Sequence, residues 1–189
     1  RRVLAFLYGH ASDLPVFRLR HMDRYYQDLA AAARELVARD IEITYRPHHG
    51  EHLDVIRHAL AAYGLAGKVK VENVGSLADT LREHDVLICN VTTCYYQALY
   101  AGWPTIFYEP EYDPRHFIGL PAEPDSGSPI ASTPDQLVEL VLESLNPESA
   151  SARFAETFAA KWGERYIGPD ADKTEEVLTD FLCGMALKD

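Results

Sequence analysis

Cysteine, methionine, tryptophan and positive charge are all scarce in this 189-residue chain: three Cys, two Met, two Trp, and 18 Lys and Arg against 29 Asp and Glu. Cys89, Cys94 and Cys183 lack metal-ligand spacing and are too few for a disulfide framework. That usage fits a reducing, cytoplasmic setting. The net charge of −11 argues against nonspecific binding to nucleic acid or to an anionic membrane, both of which need excess Lys and Arg. No apolar stretch approaches the ~20 residues of a membrane span. No signal peptide is visible, and the chain enters an apolar run directly after Arg1 without Met, as expected of one domain cut from a longer protein. No Gly-x-Gly-x-x-Gly follows the first apolar run and no Gly-x-x-x-x-Gly-Lys-Ser/Thr occurs, which counts against dinucleotide dehydrogenases and P-loop enzymes. His48, His49 and His52 straddle Gly50, and no carboxylate or cysteine completes a tetrahedral set, so no metal is expected.

What is present is ordinary globular material, 47% hydrophobic, enough for one well-packed domain. Apolar runs at 2–8, 41–45, 68–74, 85–89 and 104–108 read as strands, the third of them edge-like. Residues 10–23 read as polar and irregular. Helical spacing follows at 25–39, with Leu29, Ala32, Ala33, Leu36 and Val37 on one face, and at 53–63, where Gly64 sits as a C-cap glycine. Further helices are expected at 77–83 behind Ser76, at 92–101, at 135–145 behind Thr133 and Pro134, and near 149–162 and 171–186. A loop rich in Pro, Gly and Asp spans about 110–129. Strands alternating with helices imply an α/β fold, a doubly wound (Rossmann-like) parallel sheet over 1–148, followed by carboxyl-terminal helices over 149–189.

In such sheets ligands bind beyond the carboxyl ends of the strands. This chain gathers its polar irregularities there: Gly9-His10, Arg46-Pro47-His48, Val74-Gly75-Ser76, Asn90 to Thr93, and Tyr108 to Glu111. At Thr92-Thr93 a helix opens directly after a buried strand. Its unpaired N–H groups and positive dipole end suit a phosphate, with the hydroxyls as added donors, although threonine is also an ordinary N-cap. His48 at a strand end suits an imidazole that donates to a phosphate oxygen and can protonate it, which makes it the catalytic candidate. Glu109 and Glu111 follow the next strand, where a carboxylate accepts from ribose hydroxyls in nucleotide-binding domains. Arg18, Arg20, His21 and Arg24 form a basic cluster that reads as either a phosphate contact or a solvated surface. Tyr95, Tyr96 and Tyr100 lie at helical spacing and read as packing residues.

The order Asp85-Val-Leu-Ile-Cys-Asn-Val-Thr-Thr93, Gln97-Ala-Leu99 and Gly102-Trp-Pro-Thr-Ile-Phe-Tyr108 resembles the donor half of GT-B glycosyltransferases, in particular the CDP-glycerol glycerophosphotransferase and capsule-polysaccharide transferase group. Gly127-Ser-Pro-Ile-Ala131 and Ser132-Thr-Pro-Asp-Gln-Leu137 match that group's later elements, and Arg46-Pro47-His48-His49 resembles its Arg-x-His-Pro element. The resemblance covers roughly 40–145. It implies that His48 and the Thr92-Thr93 turn hold a nucleotide diphosphate and that the backbone near Val74-Gly75-Ser76 meets the base. It further implies a nucleotide-activated sugar or polyol as substrate, no separate cofactor, and a glycan acceptor held by an amino-terminal half. The setting would be bacterial cell-surface polysaccharide synthesis, at the inner face of the cell membrane through the rest of the protein. Asn90 stands where the group often has Asp, and His49 where it has Pro, which leaves CDP-, CMP- and UDP-linked donors open. Two other readings share the architecture: a sugar-nucleotide 2-epimerase, and a noncatalytic nucleotide-binding half that needs a partner chain.

Overall fold

The computed structural model describes residues 1–7, 15–47, 52–90, 93–110 and 129–166. Six strands form one sheet: β1 (Arg2–Leu7), β2 (Glu42–Pro47), β3 (Val69–Val71), β4 (Val86–Cys89), β5 (Thr105–Tyr108) and β6 (Ile130–Ala131). Their order across the sheet is β3-β2-β1-β4-β5-β6, and every pairing is parallel. Val3 sits opposite Ile43 on one side and Val86 on the other, so β1 is the central strand.

Side chains alternate strictly, as a sheet covered on both faces requires. Val3, Ala5, Val86, Ile88, Ile106 and Tyr108 enter one core, under α1 (Pro15–Val37), α2 (Leu53–Ala62) and α5 (Pro134–Ser144). Leu4, Leu87, Cys89 and Phe107 enter the other, under α3 (Leu77–Arg82), α4 (Thr93–Tyr100) and α6 (Ala150–Tyr166). From α6, Phe154, Ala155 and Phe158 pack against that second face, beside Tyr95, Ala98 and Leu99 of α4. The doubly wound α/β sheet expected from the sequence is therefore the observed fold.

Local signals place the helix ends. The Gly102 N–H donates to Leu99 C=O at 3.0 Å and the Trp103 N–H to Ala98 C=O at 2.9 Å, a Schellman closure with Gly102 at φ +72°. Thr133 caps α5 by accepting from the Gln136 N–H, with Pro134 in the first turn.

Two elements differ from expectation. Helix α1 begins at Pro15, ten residues before the expected start, so Arg18, Arg20, His21 and Arg24 lie on a helix rather than ahead of one. Proline at a first helical position loses no bond, and Val16, Leu19 and Met22 already recur at helical spacing. The two-residue strand β6 lies just beyond the expected 110–129 loop, where no strand was expected. Its bonds come from the Phe107 N–H to Pro129 C=O and the Glu109 N–H to Ala131 C=O, each 2.9 Å. The helix expected near 171–186 lies outside the described residues.

Leu87 is fully buried at the middle of the sheet. Leu87→Ala should lower unfolding free energy by about 2–5 kcal/mol, measured by urea denaturation; a loss within 0.5 kcal/mol, the range of ~0.5 expected of surface sites, would contradict this placement.

Candidate functional site

The strand order reverses direction between β1 and β4, the switch point at which open α/β sheets form their ligand crevice beyond the strand carboxyl ends. Strand β4 ends there at Cys89, followed by buried Asn90, and α4 begins at Thr93. Helix α4 is held in this position by its own apolar face. Tyr95 is fully buried and meets Phe107 edge to face, with ring centroids 5.2 Å apart at 90°. Tyr95 is thus a packing residue, as its spacing suggested. The N-terminus of α4 points the positive end of its helix dipole at the carboxyl edge of the sheet.

Arg46, next to last in β2, is only 9% exposed. Its guanidinium donates to Val74 C=O at 2.8 Å, to Gly75 C=O at 2.5 Å, and to Thr80 Oγ1. Thr80 Oγ1 in turn donates to Ser76 C=O at 2.9 Å. Arg46 was expected among the phosphate ligands; in the fold its fork braces the turn between β3 and α3. Gly75 takes φ +75° in that turn, and Ser76 is the N-cap of α3, accepting from the Asp79 N–H at 3.1 Å. Among the candidates, Arg46, Gly75 and Ser76 therefore form one unit.

Glu109 is the other candidate whose place differs from its expected role. It is 2% exposed, and its charge raises the phenol pKa values of both Tyr25 and Tyr108. Its carboxylate is in the interior beside those rings rather than displayed at a strand end. Gly9, His10, His48, Thr92 and Glu111 lie outside the described residues.

A cluster that the sequence reading missed closes this side of the sheet. Tyr108 on β5 donates its hydroxyl to Asp28 Oδ2 on α1 at 2.8 Å, and Arg24 pairs with the same carboxylate at 3.6 Å. Arg24 thus serves an ion pair within α1. Tyr25 meets Tyr108 with ring centroids 5.2 Å apart and planes tilted by 42°. The available signal was Asp28, a carboxylate bordering the apolar stripe of α1. Burial raises the Tyr25 phenol well above its usual range, with Cys89 and Glu109 adding to it. Burial likewise raises Tyr108, with the bond to Asp28 second. The Cys89 thiol is also pushed up by burial and by Cys94, which keeps it protonated and unreactive.

A cavity of about 280 Å³ lies elsewhere, between α1, α2 and the sheet, where Ala30, Ala33 and Ala59 leave space. Its lining is mostly aliphatic and aromatic, with His52 among it. Among the described residues no cluster of three His, Cys, Asp or Glu could hold a metal ion, and no helix is long and apolar enough to cross a membrane.

No family model matches the chain, and no curated protein matches it in sequence. Solved structures do match in fold. A TarM variant from S. aureus, crystallised with fondaparinux, alpha-GlcNAc-glycerol and UDP, aligns over 95% of this chain and 34% of its own at 13% identity and TM-score 0.57. A UDP-N-acetylglucosamine 2-epimerase aligns over 82% of this chain and 37% of its own at 13% identity and TM-score 0.54. An O-GlcNAc transferase from Thermobaculum terrenum aligns over 93% and 35% at 15% identity and TM-score 0.53. This chain thus spans little more than a third of the length of each. The shared feature is the fold, a Rossmann-like sheet of the GT-B kind.

Tyr25 and Tyr108 carry pKa values raised by folding, so their contribution to stability is complete below the unfolded phenol value of about 10 and is lost as pH rises beyond it. Urea midpoints should stay level to about pH 9 and fall above about pH 10. Tyr108→Phe should cost about 1 kcal/mol at neutral pH and make the alkaline fall shallower; an unchanged alkaline slope would refute the assignment.

Proposed function

We propose that this chain is the nucleotide-donor-binding unit of a GT-B-type glycosyltransferase or polyol-phosphate transferase. The observation that carries the reading is α4: a helix N-terminus set at the switch point of a parallel sheet, directly behind the buried end of β4. The fold likeness to TarM, whose structure includes UDP, supports a nucleotide diphosphate as the anion.

In this reading the diphosphate lies against the N-terminus of α4, with Thr92, Thr93 and His48 as side-chain donors. When the bond between the sugar or polyol and the phosphate breaks, negative charge grows on the leaving phosphate. Oriented N–H groups, hydroxyls and an imidazole stabilise that charge, and His48 can supply a proton to it. Donors of this kind fill the role that a cation plays in other transferases. The acceptor and the group that activates it belong to an amino-terminal half, and a bacterial surface polymer is the product class that the sequence resemblance suggests. The donor is the substrate, and no further cofactor takes part.

A second reading, a sugar-nucleotide 2-epimerase, is favoured by the fold likeness to such an enzyme. It predicts the same nucleotide cradle. Release of free nucleotide only in the presence of an acceptor would separate transferase from epimerase.

Thr93→Ala and His48→Ala should each weaken binding of UDP or CDP about tenfold, the worth of one charge-assisted hydrogen bond, with circular dichroism unchanged. Titration calorimetry that finds both variants equal to the parent would overturn the reading.

A further inference from the structure

The cavity between α1, α2 and the sheet is out of proportion to an ordinary core, since protein interiors keep few gaps larger than a water molecule. Its volume is about 280 Å³, whereas a dry apolar cavity of about 150 Å³ already binds benzene. The space exists because alanines stand where larger side chains would close it: Ala30 and Ala33 on α1, and Ala59 on α2. Among the described residues no Asp, Glu, Lys, Arg, Asn, Gln, Ser or Thr contributes to the wall. Its polar side-chain groups are three tyrosine hydroxyls and the imidazole of His52. A water held in a cavity needs several polar partners, so this one suits an apolar occupant.

The shape narrows the occupant further. The wall follows α2 from His52, ahead of the first turn, to Tyr63 and Leu65 beyond the last. The ten residues of α2 span about 15 Å, so the cavity is long. Its two ends differ. Helix α2 starts from the carboxyl edge of the sheet, where β2 ends, and returns to the amino edge, where β3 begins. At the first end His52 is exposed, and Val55 is 66% exposed, one of two large hydrophobic residues so displayed among the described residues. At the second end Leu36, Leu65 and Val69 are buried. The cavity is thus a blind apolar channel whose mouth lies on the sheet edge from which α4 also starts.

We propose that this channel binds the unbranched alkyl chain of a single-chain amphiphile such as a fatty acid. The tail enters first and reaches toward Leu65 and Val69, and the polar head stays outside beside His52 and Val55. A long blind channel suits a linear tail better than a compact ring system. A volume at the lower end of small-molecule pockets, which begin at about 300 Å³, suits one chain better than the paired chains of a membrane phospholipid. Binding here is independent of the nucleotide-binding reading of α4, because the two places share no residue.

The test is titration calorimetry of the full chain with hexanoate, octanoate, decanoate and dodecanoate, each below its micelle concentration. Affinity should rise about three- to fourfold for each methylene added and level off once the tail reaches the closed end. Ala33→Leu, which fills the channel, should weaken dodecanoate binding by about tenfold or more, the worth of two methylenes kept out. The same variant should raise the thermal midpoint of the unliganded chain, as filling a cavity does. Should Ala33→Leu fail to fold by circular dichroism, Ala59→Leu takes its place with the same expectations. Ala61→Leu, at an exposed position of α2 outside the wall, should leave binding unchanged. A folded, filled variant that binds dodecanoate as tightly as the parent overturns the proposal, as does a parent that binds none of the acids. Binding to phosphatidylcholine vesicles without saturable binding of the free acids overturns it too.

Discussion

Parallel hydrogen bonding on both sides of β1 is the constraint from which the rest of the molecule follows, because strands that share a direction also share a carboxyl edge. With β2 on one side and β4 on the other, each running with β1, the chain must return across the sheet after every strand. The described returns, after β1, β2, β3 and β4, are helices, and they occupy both faces. The carboxyl ends of β2, β3, β4 and β5 therefore all lie on one side. Asn90, Glu109, the Val74–Ser76 turn and the start of α4 are neighbours along that edge although they are scattered through the sequence.

The two faces do different work along that edge. On the face of α4 and α6, fully buried aromatic packing around Tyr95 and Phe107 sets the height and direction of a helix N-terminus. On the other face a polar tie takes over, Tyr108 to Asp28 joining β5 to α1, while Arg46 joins β2 to the turn before α3 on the side of α4. A buried guanidinium satisfied by two carbonyls and a hydroxyl is costly to place and costly to lose, since any partner removed leaves a desolvated charge. Such a group suits a turn whose shape must be kept. Under the proposed function, charge complementarity to the diphosphate is then left to the helix dipole and to residues such as Thr93 and His48.

Much of this was legible residue by residue. The periods of Leu29, Ala32 and Leu36, the glycines at 64 and 102, and the Ser76 and Thr133 caps each act over a few residues, and each marked an element close to where it forms. The start of α1 was misread because its first turns carry arginines and a histidine among the apolar residues, and their polarity masked the helical spacing. Strand β6 was missed because two residues have no period; only pairing with β5 makes them a strand. Thr93 was correctly placed at the head of a helix.

Arg46 and Glu109 mark the limit of such reading. Their positions at strand ends were evident from the apolar runs before them, and their residue types suggested contacts with a ligand. Which way each side chain turns depended on what the fold brings near it: two carbonyls and a hydroxyl 28 to 34 residues away for Arg46, two tyrosine rings for Glu109. The sequence by itself determined the alternation of strand and helix and the polar turns, because propensity, capping and hydrophobic period are local. The tertiary structure alone decided which of those polar residues face inward, because a charge is buried only where distant groups arrive to satisfy it.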